Sequence, residues 1–326
     1  MRKTFIYKDL LNDDFAGTDI ERKDLPPSFK YISKNLLWNA VSFIFYRLIA
    51  TPLVFLFQKI LYCQRIKNRK VLRNYRKEGY FIYANHTMTA GDAFTPTLVT
   101  FPKKAYILVS PDAFSLPVVK DAVKMLGGMP TPTKISEIKA FREAINTRAQ
   151  KKNVLVIYPE AHIWPYYTKI RPFKDASFKY PAENNKPVFC FTNTFKKHFL
   201  FNFPVVTTYV DGPFFPDGKL SVKENQKYLR EAVYQTMTQR SKKSTYGHCV
   251  YIDATEQSAN QPPLGEQGLG EFLHAQTQSA QRGEYCGERD FAKQNEQSRL
   301  NEKAVAEQDL QSKRRPIKKV NRTKQS

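Results

Sequence analysis

The stretch Tyr80-Phe81-Ile82-Tyr83-Ala84-Asn85-His86-Thr87-Met88-Thr89-Ala90-Gly91-Asp92 joins a short apolar run directly to a polar loop. Runs of the same kind recur at Ala105–Val109, Val154–Tyr158, Val188–Thr192 and Val205–Val210. Each is continuously apolar, the pattern of a strand covered on both faces. Helical periodicity separates several of them, over Ile135–Arg148 and Glu224–Arg240. Strands alternating with helices predict an α/β domain with a mostly parallel sheet flanked by helices. We place this domain at residues 71–254.

Working outward, the preceding segment Asn35–Cys63 is the most apolar part of the chain, with Arg47 and Pro52 in its middle. A bilayer span needs about 20 apolar residues. A mid-depth Arg costs roughly 2.5 to 3.5 kcal/mol on insertion scales, and an internal Pro breaks or kinks a helix. The expectation is therefore a membrane-associated helical hairpin over residues 35–70, lying in the interface with Arg47 snorkelling outward. Lys59, Arg65, Lys67, Arg69 and Lys70 follow, suited to anionic headgroups. Residues 1–34 form a polar segment without the apolar core of a signal peptide. The last 72 residues, 255–326, carry 11 Gln and three aromatics and end in a basic run. They are expected to be a mostly disordered tail.

The chain has 326 residues, is 41% hydrophobic and carries a formal charge of +22. That composition excludes whole-chain disorder and calls for an acidic partner. Nucleic acid is one class of such partner, but no zinc-finger, RNA-recognition or helix-turn-helix pattern is present, and none is expected to bind specifically. Four cysteines, Cys63, Cys190, Cys249 and Cys286, fit no zinc spacing and read as reduced thiols of a cytosol-facing protein. No metal site is expected. A hydrolytic centre of His86, Asp92, Glu160 and His162 would be scattered and lacks a tight motif.

His86, at a strand end and followed by Asp92, suits a general base oriented by a carboxylate. Glu160, in Tyr158-Pro159-Glu160-Ala161-His162, stands just past the third run, where α/β sheets place their ligands. Gly127 and Gly128 allow backbone to approach a ligand closely or make a turn. Lys169, Arg171 and Lys174 place three cations within six residues, a possible phosphate clamp.

The order of these pieces resembles the glycerophospholipid acyltransferase superfamily, with 1-acylglycerol-3-phosphate (lysophosphatidate) acyltransferase the nearest type. Asn85-His86 and Asp92 resemble its first block, with five intervening residues where the family has four. Gly127-Gly128-Met129-Pro130 matches the second in position. Tyr158-Pro159-Glu160-Ala161-His162-Ile163 resembles the third, with Ile163 where the family carries a phosphate-contacting Arg. Pro172-Phe173-Lys174-Asp175-Ala176-Ser177-Phe178, Pro187-Val188 and Val210-Asp211-Gly212-Pro213 resemble later segments. The resemblance spans roughly residues 30 to 253. It implies an O-acyltransferase of phospholipid biosynthesis in which His86 is the base and Asp92 orients it. Backbone N–H groups near Gly127 and Gly128 would hold the oxyanion. Asn85, Glu160, His162, Lys169, Arg171 and Lys174 would bind substrate, with one of the basic residues standing in for the missing Arg. No cofactor is implied. The donor would be acyl-CoA, acyl-carrier protein or acyl phosphate, and the acceptor a lysophospholipid. The expected site is the cytoplasmic face of the cell membrane, bound peripherally or monotopically. A non-catalytic lipid-binding protein of degenerate acyltransferase fold is the alternative.

Overall fold

All five apolar runs form strands. In chain order the strands are β1 (Thr4–Tyr7), β2 (Arg65–Lys67), β3 (Tyr80–Ala84), β4 (Ala105–Val109), β5 (Gly128–Pro130), β6 (Val154–Ile157), β7 (Val188–Lys197), β8 (Pro204–Phe214) and β9 (Val250–Asp253). The helices are α1 (Leu36–Ile44), α2 (Thr51–Leu61), α3 (Thr95–Thr100), α4 (Pro117–Met125), α5 (Ile135–Gln150), α6 (Lys179–Asn184) and α7 (Val222–Ser241). This computed structural model describes residues 2–16, 25–26, 29–115 and 117–255. The predicted tail lies outside the described residues apart from its first position, as does part of the 1–34 segment.

Seven strands form one sheet in the order β2-β8-β7-β3-β6-β4-β5. Every neighbouring pair is parallel except β7 with β8. The predicted α/β class with a mostly parallel sheet is what the chain adopts. β3 and β6 sit at the centre and every residue in them is buried. Because side chains alternate across a strand, Phe81 and Tyr83 enter one core with Phe141, Ile145, Leu229, Val233 and Met237 of α5 and α7. Tyr80 and Ile82 enter the other with Leu72, Val99 and Phe189. In α7 the buried Leu229, Val233 and Met237 are four apart, one stripe of an amphipathic helix started by a Ser221–Glu224 capping box.

The sheet reaches further back than the predicted boundary at residue 71, because Arg65–Lys67 pairs with β8. The N-terminal segment also joins the fold: β1 pairs in parallel with β9.

The expected hairpin is instead one helix, Leu36–Leu61, made of α1, a π-helical segment at Phe45–Ala50, and α2. Pro52 is accommodated because the wider π turn precedes it and Thr51 supplies both its N–H and its hydroxyl to the Tyr46 carbonyl. The helix is inside out. Ser42, Tyr46, Ala50, Val54 and Gln58 are buried at a strict spacing of four. An α-helix drifts about 40° over each such step, and the π turn takes up part of that drift. The outer face shows Leu36, Phe43, Leu48, Leu53 and Leu56 to solvent. By length and composition the helix is sufficient to cross a membrane. Arg47 does not snorkel free. One of its guanidinium nitrogens is buried against the domain.

Candidate active site

β3 delivers Asn85 and His86 to the C-terminal end of the sheet, and the loop after β6 delivers Glu160 beside them. β7 pairs Phe191 with Ala84, so Asn193, two residues further along β7, is level with His86.

His86 Nδ1 lies 2.9 Å from Asp92 Oδ2. The extra residue between them is absorbed in a tight turn, where Asp92 N donates to the Met88 carbonyl and Thr95 N to that of Gly91. Gly91 leaves room for the Met88 side chain, whose Cε would stand 2.3 Å from a Cβ there. Asp92 is buried and its carboxylate accepts two further bonds, from Met88 N at 2.9 Å and Asn193 Nδ2 at 3.2 Å. With Nδ1 turned to the carboxylate, Nε2 is the nitrogen left to exchange a proton with a substrate. The His86 ring, 18% exposed, stacks on Tyr158 with centroids 4.4 Å apart. Tyr158 in turn donates to the Asp92 carbonyl at 2.6 Å. Burial pushes the Tyr158 hydroxyl well above its ordinary range, which keeps it a neutral donor.

A buried polar chain supports the acid. Asn193 accepts from Thr208 at 2.7 Å, Thr208 from Gln64 at 3.0 Å, and Gln64 also donates to Thr95 at 3.0 Å. Gln58 of α2 donates to the Gly91 carbonyl at 2.9 Å. Asn85 clamps β7 through both amide atoms, accepting from Asn193 N at 2.8 Å and donating to its carbonyl at 3.2 Å. Asn85 therefore orders the strand pair, not a ligand. The reading from sequence did not include Asn193, Thr208, Gln58 or Gln64. No local pattern singles them out, because each acquires its partner only through the strand register and the packing of α2.

Other expected site residues are placed differently. Glu160 is buried and faces inward: Oε2 accepts from His86 N at 3.1 Å and Oε1 from Arg171 N at 3.2 Å. Arg171 is fully enclosed, with its guanidinium 3.6 Å from Glu160 Oε2 and donating to the carbonyls of Glu160, His162 and Leu10. It lies over the Trp164 ring at 4.9 Å. Burial pushes the Glu160 carboxyl up, and Arg171 with the two backbone N–H groups pulls it back. These two hold the loop to His86 and do not present charge to an acceptor, so Arg171 does not replace the missing third-block Arg. His162 approaches Asp14 at 3.5 Å. Lys169 and Lys174 are exposed and, among the described residues, form no ion pair.

Gly127 and Gly128 are not at the centre. Gly128 is level with Ile107, and Ala105 with Val154, which is level with Tyr80. His86 stands four residues further up the sheet, about 13 Å at the rise of a strand, and three strands across. Gly127 N already donates to the Lys124 carbonyl. Gly127 adopts φ +97°, and a Cβ there would stand 2.2 Å from the Ala105 carbonyl oxygen. The glycines make the entry into β5, not an oxyanion hole.

Residues 64–193, which contain His86, Asp92, Glu160 and Asn193, match the family model described as Acyltransferase. The match covers 130 of the 326 residues, and over that part the chain is similar to acyltransferase domains. The family resemblance read from the ordered blocks thus holds. A solved structure, the 1-acyl-sn-glycerophosphate (LPA) acyltransferase PlsC from Thermotoga maritima, is similar over 65% of this chain and 98% of its own, at 16% identity and a TM-score of 0.44. No curated protein matches.

Proposed function

We propose that the acyltransferase domain moves a fatty acyl group from an activated donor to the free hydroxyl of a lysophospholipid, 1-acylglycerol-3-phosphate being the nearest type. The donor is acyl-CoA, acyl-carrier protein or an acyl phosphate. The observation that carries this reading is the His86–Asp92 pair, with Nδ1 held at 2.9 Å and Nε2 left for substrate. In the step, His86 Nε2 takes the proton of the acceptor hydroxyl as its oxygen attacks the acyl carbonyl carbon. The carbon–sulfur or carbon–oxygen bond to the donor then breaks, and the proton passes to the leaving group. Asp92 keeps the tautomer and stabilises the imidazolium. No covalent acyl-enzyme is needed, and Cys190, the thiol level with Tyr83 on the neighbouring strand, is buried with its pKa pushed up by desolvation. The exposed apolar face of Leu36–Leu61 supports attachment to a bilayer, where the lysophospholipid acceptor resides. Cytoplasmic sidedness belongs to the same proposal.

One observation favours the non-catalytic alternative: Glu160 and Arg171 both turn inward, leaving the third block without charge toward an acceptor. An acyl-transfer assay in mixed micelles decides between them. Lysophosphatidate is offered with acyl-CoA and acyl-carrier-protein donors to wild type and His86→Ala. Turnover that collapses in the variant is the expected result. Absence of turnover in wild type with every lyso-acceptor, alongside retained lipid binding, selects the alternative.

A further inference from the structure

Between α1, the start of β4 and the C-terminal ends of α4 and α5 lies a cavity of about 320 Å³. It sits at the end of the sheet opposite His86. Tyr106 is one residue above the level of Tyr80, so some five residues, about 17 Å of strand, separate it from the base. Five basic residues line the cavity, Arg47, Lys104, Lys124, Arg148 and Lys151, and no acidic residue does. Among the described residues none of the five forms an ion pair. Lys104 is satisfied by neutral oxygens, those of Ser42 at 3.0 Å and Met125 at 2.7 Å.

Two buried polar atoms without a hydrogen-bond partner also lie on residues of this lining: a guanidinium nitrogen of Arg47 and Nε of Arg148. Buried donors are almost always paired, and clustered like charges repel. Burial, together with Arg148 and Arg47, pushes Lys104 down to about 8. Such a site is completed by an anion with several acceptor oxygens. Arg supplies planar forks and Lys point charges, the donor set that suits phosphate. Trp38 and Phe43 of α1 also line the cavity, and Phe43 continues outward onto the exposed apolar face with Leu36, Leu37 and Ile44. A ligand charged at one end and apolar at the other matches both surfaces.

We propose that this cavity binds the phosphate headgroup of an anionic phospholipid, with its acyl chains lying along the outer face of α1, as a site separate from the acyl-transfer centre. The proposal stands apart from the catalytic reading, because binding is read without turnover.

The chain has two tryptophans, and Trp164 is fully buried, so Trp38 is a native reporter at the cavity mouth. The full chain is titrated with dihexanoyl phosphatidylglycerol below its micellar concentration, with dihexanoyl phosphatidylcholine, and with inorganic phosphate, following tryptophan emission. A saturable change with the anionic lipid, none with phosphatidylcholine, and binding of inorganic phosphate weaker by about tenfold or more is the expected pattern. Arg47→Gln and Arg148→Gln each weaken lipid binding by about tenfold or more, Arg148→Lys keeps part of it, and Lys223→Ala on α7 keeps all of it. Circular dichroism checks that each variant is folded. An unresponsive wild type, an equal response to phosphatidylcholine, or folded Arg47→Gln and Arg148→Gln variants that titrate as wild type would overturn the site. Inorganic phosphate binding as tightly as the lipid would overturn the lipid as its occupant.

Discussion

His86 owes its orientation to Asp92, and the Asp92 carboxylate meets His86 Nδ1, Met88 N and Asn193 Nδ2. Asn193 reaches it only through the strand register that pairs Ala84 with Phe191. At this scale the pair makes a graded prediction. Asp92→Asn should lower kcat by about 10³ to 10⁴, as loss of the orienting carboxylate does elsewhere. Asn193→Ala, which removes one of the three bonds to that carboxylate, should cost about tenfold in kcat with little change in KM, and should shift the pH–rate profile. An unchanged profile would make Asn193 merely structural. Glu160 and Arg171 stand apart from that pair. Both were expected to meet substrate, yet both are enclosed, because each satisfies the other and the loop backbone. Arg171→Met should destabilise by about 3–5 kcal/mol by leaving a buried carboxylate unpaired. The double variant with Glu160→Gln should recover much of that loss in a urea titration.

At the scale of elements, the strands were readable because central parallel strands are continuously apolar, and β3, β4 and β6 end within a residue or two of the runs. The short β5 was not, since Gly127-Gly128-Met129-Pro130 reads as a turn until β4 pairs with it. Gly127→Ala should lower stability by at least about 2 kcal/mol, because it meets both a left-handed φ and the Ala105 carbonyl. The apolar helix was seen but not its continuity: Pro52 signals a break, and only the π turn before it removes the conflict. Its outer face carries a separate prediction. Leu48→Glu and Leu53→Glu replace exposed side chains, so they should leave the melting temperature in place while sharply reducing co-sedimentation with vesicles.

For the whole molecule, the charge of +22 is concentrated outside the tail, and part of it is held under cover. Burial pushes Lys103 and Lys104 each down to about 8, against about 10.4 in an unfolded chain. From pH 8 to about 9 the folded protein has released lysine protons that the unfolded chain still holds, so stability rises with pH there. Above about 9 the Cys190 and Cys249 thiols, pushed up by burial, begin to offset the rise. Urea midpoints should therefore increase from pH 8 to about 9, and Lys103→Met should reduce the difference. Above pH 10 the buried Tyr80 and Tyr31, whose hydroxyls are pushed up, reverse the trend.

Gln58 lies on the buried stripe of the apolar helix and donates to the carbonyl of Gly91, the residue before Asp92. Trimming residues 36–61 to obtain a more tractable protein would thus strip a donor from the turn that sets the acid. Such a truncation would be a lesion of the active site as well as the loss of an anchor, and its inactivity would say nothing about whether the reaction needs a membrane.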